Sequence, residues 1–232
     1  MKKIIPLLLL ALAFTGKTYT QDGSQLKFGV FVQPSATWLS PQSRDIESAG
    51  STFGFSGGLI MENYFQDNYA ISTGLGIGSQ GGRLKYGIPS GVHVYDQIDS
   101  VPAGTTISYK ANYITVPLGL KLKTNQIGYI TYFADLGFTF QFNYSAKAES
   151  DGDIYDLEKN REAYKLSGTE SVMKEFSLFN VGYHFGGGIE YGISEDTALL
   201  FGVTYHNGFT DATESTARVL SRVLAFRVGV MF

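Results

Sequence analysis

Seven residues of this chain have the side chains and spacing to do ionic, acid–base or metal chemistry together: Glu62, Lys121, Asp135, Glu190 and Arg227, and the histidines His184 and His206. Far apart in sequence, they share one property. Each lies in the mostly small or polar half of a segment whose residues alternate between two kinds. A period of two is that of a β-strand with two different faces, so all seven are expected to point to the same side of one sheet. If that side lines a narrow lumen, unpaired charges there are costly and must pair or hold water. The five charged residues are therefore expected to form a salt-bridged plug; a proton or ion path is the alternative.

His184 and His206 belong to two segments joined by a three-residue link, Ser194 to Asp196. An odd link between strands of matching parity places the two imidazoles directly opposite each other, and the reading puts them near the outer mouth. Two level imidazoles begin a metal site, or supply the base of a hydrolase or acyltransferase acting on lipid or peptide. No third ligand or nucleophile stands near them in sequence. They are read as polar lumen residues, with no metal, cofactor or catalytic residue assigned. A second acidic group, Asp151, Asp153, Asp156 and Glu158, suggests hard-cation binding. Its spacing does not match an EF-hand loop, and Lys159, Arg161 and Lys165 offset its charge. A solvated, partly helical extracellular loop is the reading adopted.

The elements that position these residues are clearest in YITYFADLGFTFQFNY, residues 129–144. Every second residue from Ile130 to Tyr144 is apolar or aromatic; the intervening set includes Thr131, Asp135, Gly137, Thr139, Gln141 and Asn143. The same alternation predicts strands at about 27–38, 52–65, 69–80, 107–123, 129–145, 176–193, 197–210 and 219–232. Their connections alternate strictly between short (66–68, 124–128, 194–196) and long, polar ones (39–51, 81–106, 146–175, 211–218). Tight turns at one end and long loops at the other are the pattern of an up-and-down antiparallel barrel.

Which face meets which solvent follows from bulk and charge. The polar faces are rich in Gly, Ser and Thr and poor in the Lys and Glu that coat a water-facing sheet. Small side chains suit an eight-stranded lumen, which side chains alone can fill. The apolar faces are too bulky to fit inside it. Tyr132, Tyr144, Tyr183, Tyr191 and Phe232 sit near strand ends, where interfacial aromatic girdles belong. The bulky face is therefore assigned to lipid. A soluble lipocalin-like barrel with an apolar pocket is the inverse alternative.

The composition agrees. Charged residues are 17% of the 232, Gly numbers 28, and Tyr and Phe number 15 and 17, a bias toward glycine and aromatics that fits β-architecture. Net charge is −3, which leaves no electrostatic footprint for nucleic acid. The absence of Cys excludes disulfides and thiolate metal sites. Lys2 and Lys3, the apolar run from Ile4 to Phe14 and the small, polar stretch that follows have the pattern of a secretory signal peptide. Residues 1–20 are so assigned, with cleavage expected before Gln21, and 21–232 are assigned to the barrel.

On these residues the chain resembles a known family. YITVPLGLKLK, residues 113–123, resembles the Tyr-x-x-x-Pro-Leu-x-x-Lys strand of PorT-like outer-membrane β-barrel proteins. FGGGIEYGI, residues 185–193, resembles their Gly-rich strand. Phe232, preceded by Val228 and Val230, resembles the C-terminal sorting signal of outer-membrane barrels. The resemblance implies an eight-stranded barrel in the outer membrane of a diderm bacterium, and a link to protein secretion and gliding through the family's founding member.

The sequence reading is thus an all-β, eight-stranded antiparallel up-and-down transmembrane β-barrel in the outer membrane, not an enzyme. Its partners are expected to be outer-membrane lipid and other envelope proteins met through 81–106 and 146–175. Its role is expected to be structural, adhesive or as a component of an envelope machine, through its long extracellular loops; a narrow pore or transporter for small solutes is the functional alternative.

Overall fold

The computed structural model describes residues 25–157, 162–214 and 217–232; the signal-peptide assignment, Glu158, Lys159 and Arg161 lie outside them. The strands are β1 (Gln25–Pro41), β2 (Ile46–Gly50), β3 (Thr52–Gln66), β4 (Tyr69–Tyr86), β5 (Ser90–Val94), β6 (Gln97–Val101), β7 (Thr106–Lys123), β8 (Ile130–Ser150), β9 (Ile154–Asp156), β10 (Glu162–Tyr164), β11 (Ser167–Ser171), β12 (Phe179–Gly192), β13 (Ala198–Gly208) and β14 (Val219–Met231). Eight of them close a barrel in the order β1-β3-β4-β7-β8-β12-β13-β14, every pair antiparallel. The ring is completed by β14 against β1, from Gly29↔Met231 to Pro41↔Val219. Closure gives every spanning strand two neighbours, so no row of backbone amides faces hydrocarbon.

The pleat keeps the bulky face outside. On β7, Leu118 and Leu120 are exposed while Lys121 between β4 and β8 is buried; on β8, Leu136 and Phe138 are exposed while Asp135 and Thr139 are buried. The outward run Ile114, Val116, Leu118, Leu120, Leu122 covers nine residues of β7, about what a tilted strand needs to span a bilayer. Aromatic side chains mark both rims. Tyr129 and Tyr191 lie 5.9 Å apart, and Phe65 and Tyr69 6.2 Å apart, at the end with the short turns. Phe142 meets Phe179 at 5.0 Å, and Tyr183 meets Phe209 at 5.0 Å, toward the other.

Above the upper rim the pattern inverts, which the sequence reading did not anticipate. The inward row of β7 passes from Thr115, Pro117, Gly119 and Lys121 to Ile107, Tyr109, Ala111 and Tyr113, all four buried. The outward row passes from Ile114 and Val116 to Lys110 and Ser108. The parity is unchanged; the solvent outside has become water, so the apolar row must turn inward. On β8 the same inversion uses a bulge. The pairing Tyr113↔Asn143 steps to Asn112↔Ser145, leaving Tyr144 over, and Asn143 Oδ1 accepts the Ser145 N–H at 3.0 Å. Beyond the extra residue, Ala146 and Ala148 face in and Lys147 and Glu149 face out.

The segments expected to be long polar loops are therefore largely strand. β4, β7 and β8 run on past the membrane, β2 and β11 add to the edges of this extension, and β5, β6, β9 and β10 form a separate four-stranded sheet. Among the described residues of 146–175, the helical part expected there is a single 3-10 turn, Met173–Glu175. One apolar core unites these parts, including Leu84, Val92, Val101, Ile154, Leu166 and Phe176. Asp99, fully buried, accepts the Tyr164 hydroxyl; burial first, then this bond, pushes the Tyr164 phenol above its ordinary range. The result is a cap with a water-type core sitting over the barrel's outer end.

Leu118 is 47% exposed on the lipid face near the middle of its outward run. Leu118→Arg is expected to destabilise the barrel by roughly 2–4 kcal/mol in urea titrations in lipid vesicles, whereas Thr106→Arg on the cap extension should cost less than about 1 kcal/mol. Equal costs at the two positions would mean that the membrane band is misplaced.

Candidate functional site: a plugged lumen

Three of the five charges come together. Glu62 on β3, Lys121 on β7 and Glu190 on β12 reach across the lumen from three sides. Lys121 Nζ donates to Glu62 Oε1 and, at 2.6 Å, to Glu190 Oε1. Two groups absent from the sequence reading complete the network. Lys123 Nζ donates to Glu190 Oε2 and, at 2.9 Å, to the Tyr64 hydroxyl; that hydroxyl donates to Glu62 Oε2 at 2.6 Å. Two carboxylates thus face two ammonium groups, and every carboxylate oxygen is engaged, which is the condition under which buried charge is tolerated. Glu62 is 1% exposed. Parity alone placed Lys123 on the same face as Lys121; its position at the strand's end hid it, because an end residue is normally solvated.

The lumen is also bulkier than the small-residue reading allowed. Phe31, Ile60, Phe133, Leu200 and Met231 pack together inside it. Glycines make the room: a Cβ at Gly188 or Gly202 would come 2.9 or 3.1 Å from the Phe133 ring. The Lys121 ammonium lies 4.5 Å from the centre of that ring, where the ring's quadrupole favours a cation.

Arg227 does not join this network. Its guanidinium sits 5.0 Å from the Phe31 ring centre, and Nε donates to Gln33 Oε1 at 3.0 Å. Asp135 also stands apart, one layer up, beside His184. The expectation of a single five-charge plug is thus corrected to one ionic network with two outliers. Lys121 and Asp135 are register partners on β7 and β8, yet Lys121 reaches across the lumen instead, where two carboxylates converge.

The two histidines are paired in register, His184↔His206, with ring centres 5.5 Å apart. Thr139 joins them: its Oγ1 lies 2.8 Å from His184 Nδ1 and 3.3 Å from His206 Nδ1. His184 Nε2 stands 3.6 Å from Asp135 Oδ1. Gly119 leaves the space, since a Cβ there would come 2.7 Å from Asp135 Oδ1 and 3.0 Å from His184 Nε2. Carboxylate, imidazole and hydroxyl thus follow one another in the order of a hydrolase triad, but among the described residues Asp135 Oδ1 makes no hydrogen bond, and the gap to His184 is beyond hydrogen-bond reach. Here the hydroxyl belongs to a residue 2% exposed, and His184 is 4% exposed. The pair is not at the outer mouth, as its place near the ends of β12 and β13 suggested; the longer strands β4, β7 and β8 carry the cap beyond it. Beside the layer is a cavity of about 50 Å3 bordered by Gln33, Thr115, Gln141, His206 and Arg227, room for ordered water and little more.

Of the acidic group, the described Asp151 and Asp156 serve separate structural roles. Asp151 Oδ1 accepts the Thr106 N–H at 2.7 Å, and Asp156 is buried in the small sheet. Among the described residues no cluster of three or more His, Asp or Glu has metal-ligand geometry. Arg218 donates to the Phe209 carbonyl at 2.6 Å, and Arg222 Nε to Asn207 Oδ1 at 3.1 Å, both at the outer rim.

A closed barrel with an apolar exterior, aromatic rims and a polar, filled lumen defines an integral β-barrel membrane protein. The family model described as an outer membrane protein beta-barrel domain matches residues 19–214, and the chain belongs to that family. It is an outer-membrane protein, and the lipocalin-like alternative falls, because the bulky faces point outward. The sequence matches none of the curated proteins with which it was compared. Similar solved structures include Neisserial surface protein A (14% identity, 90% of this chain and 98% of the other, TM-score 0.47), Ail, the attachment invasion locus protein of Yersinia pestis (9%, 90% and 99%, 0.39), and OprG of Pseudomonas aeruginosa (14%, 90% and 96%, 0.39).

Removing one partner of a buried pair leaves the other charge stranded, at a cost of about 3–5 kcal/mol. Lys121→Met is therefore expected to destabilise the barrel by that amount, measured by the shift from the compact to the heat-denatured band on SDS gels against temperature. Arg227→Met removes a bond to a neutral amide and a ring contact, and should cost clearly less. The reverse order would show that Arg227, not Lys121, anchors the lumen.

Proposed function

We propose that this outer-membrane barrel is a closed, non-catalytic anchor that presents its extracellular cap to other envelope proteins. The analogy is with the PorT-like barrels that its sequence resembles, whose founding member is linked to protein secretion and gliding. The observation that carries the reading is the cap itself. Its four-stranded sheet turns Val92, Asp99, Val101, Ile154 and Asp156 inward and presents Ile98 and Tyr155 outward from adjacent strands, with Ser100↔Tyr155 in register. A folded, apolar-studded sheet on a rigid stem is suited to contact rather than to passage. The ionic layer, the histidine layer and the cap core lie one above another along the lumen, which speaks against the narrow-pore alternative. The burial of Thr139 and His184 speaks against hydrolysis, since no substrate carbonyl could approach the hydroxyl.

Two measurements test this. Purified barrel in planar lipid bilayers should give no stepwise conductance; discrete openings would favour the pore. In cells, a photo-crosslinking side chain at Tyr155 should trap a discrete envelope protein, and Ile98→Asp should reduce that adduct severalfold without lowering barrel abundance. Failure of any adduct at Tyr155, together with unchanged protein secretion in a deletion strain, would refute the envelope-machinery role.

A further inference from the structure

Where the outward row of β7 and β8 turns from apolar to polar, two lysines face each other. Lys110 and Lys147 are register partners on neighbouring strands, and both side chains are exposed on the outer face. Among the described residues neither has a hydrogen bond or an ion pair. Like charges directly opposite across a strand pair repel, so the arrangement costs stability unless an anion lies between them. Arg83 stands one row further out, opposite Ser108, and Glu149 is the one carboxylate in that row, opposite Ser108 on the other side. The two rows therefore keep an excess of positive charge.

The position of the pair specifies the anion's source. Two residues below Lys110 on the outward row begins the hydrocarbon-facing run, at Ile114, and three below Lys147 stands the exposed Tyr144. The lysines are thus at headgroup depth of the outer leaflet. Beside them opens a cleft of about 530 Å3 whose walls include Phe53, Lys110, Asn112 and Lys147, with the carboxylate of Glu149 on the side away from the membrane. Phe53 is 74% exposed, an apolar flank for the base of an acyl chain, while Asn112 offers an uncharged polar group to a sugar. Acyl contact below, a sugar-sized cleft and a paired ammonium site above form one continuous surface.

We propose that Lys110 and Lys147 bind a phosphate group of a phosphorylated outer-leaflet glycolipid of the lipid A type. The lipid rather than free phosphate is the occupant, because the charge pair is continuous with the membrane-facing apolar surface. The site rests on the membrane placement of the barrel and is independent of whether the lumen is closed or the cap has protein partners.

The test uses the full-chain barrel in a zwitterionic detergent, titrated with bisphosphorylated lipid A, with fully dephosphorylated lipid A and with inorganic phosphate as competitor, bound lipid being counted by native mass spectrometry. The bisphosphorylated form should bind about tenfold or more tightly than the dephosphorylated form, the scale of one or two charge-assisted hydrogen bonds. K110Q/K147Q should erase this preference and K110R/K147R should keep it. Equal binding of the two lipids, or a preference that survives in K110Q/K147Q, would overturn the proposal. So would displacement by inorganic phosphate at the lipid's own concentration, which would mark a free-anion site. Should K110Q/K147Q fail to fold, the single variants K110Q and K147Q decide: a preference undiminished in both refutes the site.

Discussion

The need to pair every backbone amide within hydrocarbon governs this molecule. Closure of β14 on β1 meets it, and closure at eight strands leaves a lumen only wide enough for side chains. From that narrowness follow the glycines that admit the Phe133 ring and the reach of Lys121 to carboxylates on two distant strands. The ionic network is a consequence of the ring size as much as of the residues that compose it.

A second constraint acts along the strands. The pleat fixes which residues share a side, but not which side is apolar; the surroundings decide that. Through the bilayer the outward set is bulky and the inward set small, and in the cap the assignment is exchanged. β7 manages the exchange by changing residue types on an unbroken strand, whereas β8 inserts Tyr144 as an extra residue and shifts its parity. Both solutions arrive at the same level, which is why the cap core lies directly over the lumen and the polar outer rows begin together.

This exchange also explains what could be read from the sequence. The eight spanning strands and the short turns were legible because most spanning segments alternate cleanly, the first three less so, and the turns are brief. The opposition of His184 and His206 was legible because hairpin register follows from link length. The cap was not. Its strands are short, its buried residues belong to four separate segments, and Leu84, Ile107 and Ala146 become core only when water replaces lipid outside. Thr139 was overlooked for a similar reason: its meaning depends on three strands meeting, and no linear spacing ties it to either histidine. Arg227 was placed on the correct face, but parity does not say which neighbour a long side chain will choose.

The cap has a consequence for biogenesis. Its core draws on the extensions of several hairpins, and those extensions carry Arg83, Lys85, Lys110, Lys147 and Glu149, which hydrocarbon rejects. They must therefore pass to the far side out of contact with hydrocarbon and assemble only there. Once joined, they make a folded head with its own buried core and a charged outer surface. Like a rivet set from one side, the protein can be inserted in steps but cannot be withdrawn without first being undone from the outside.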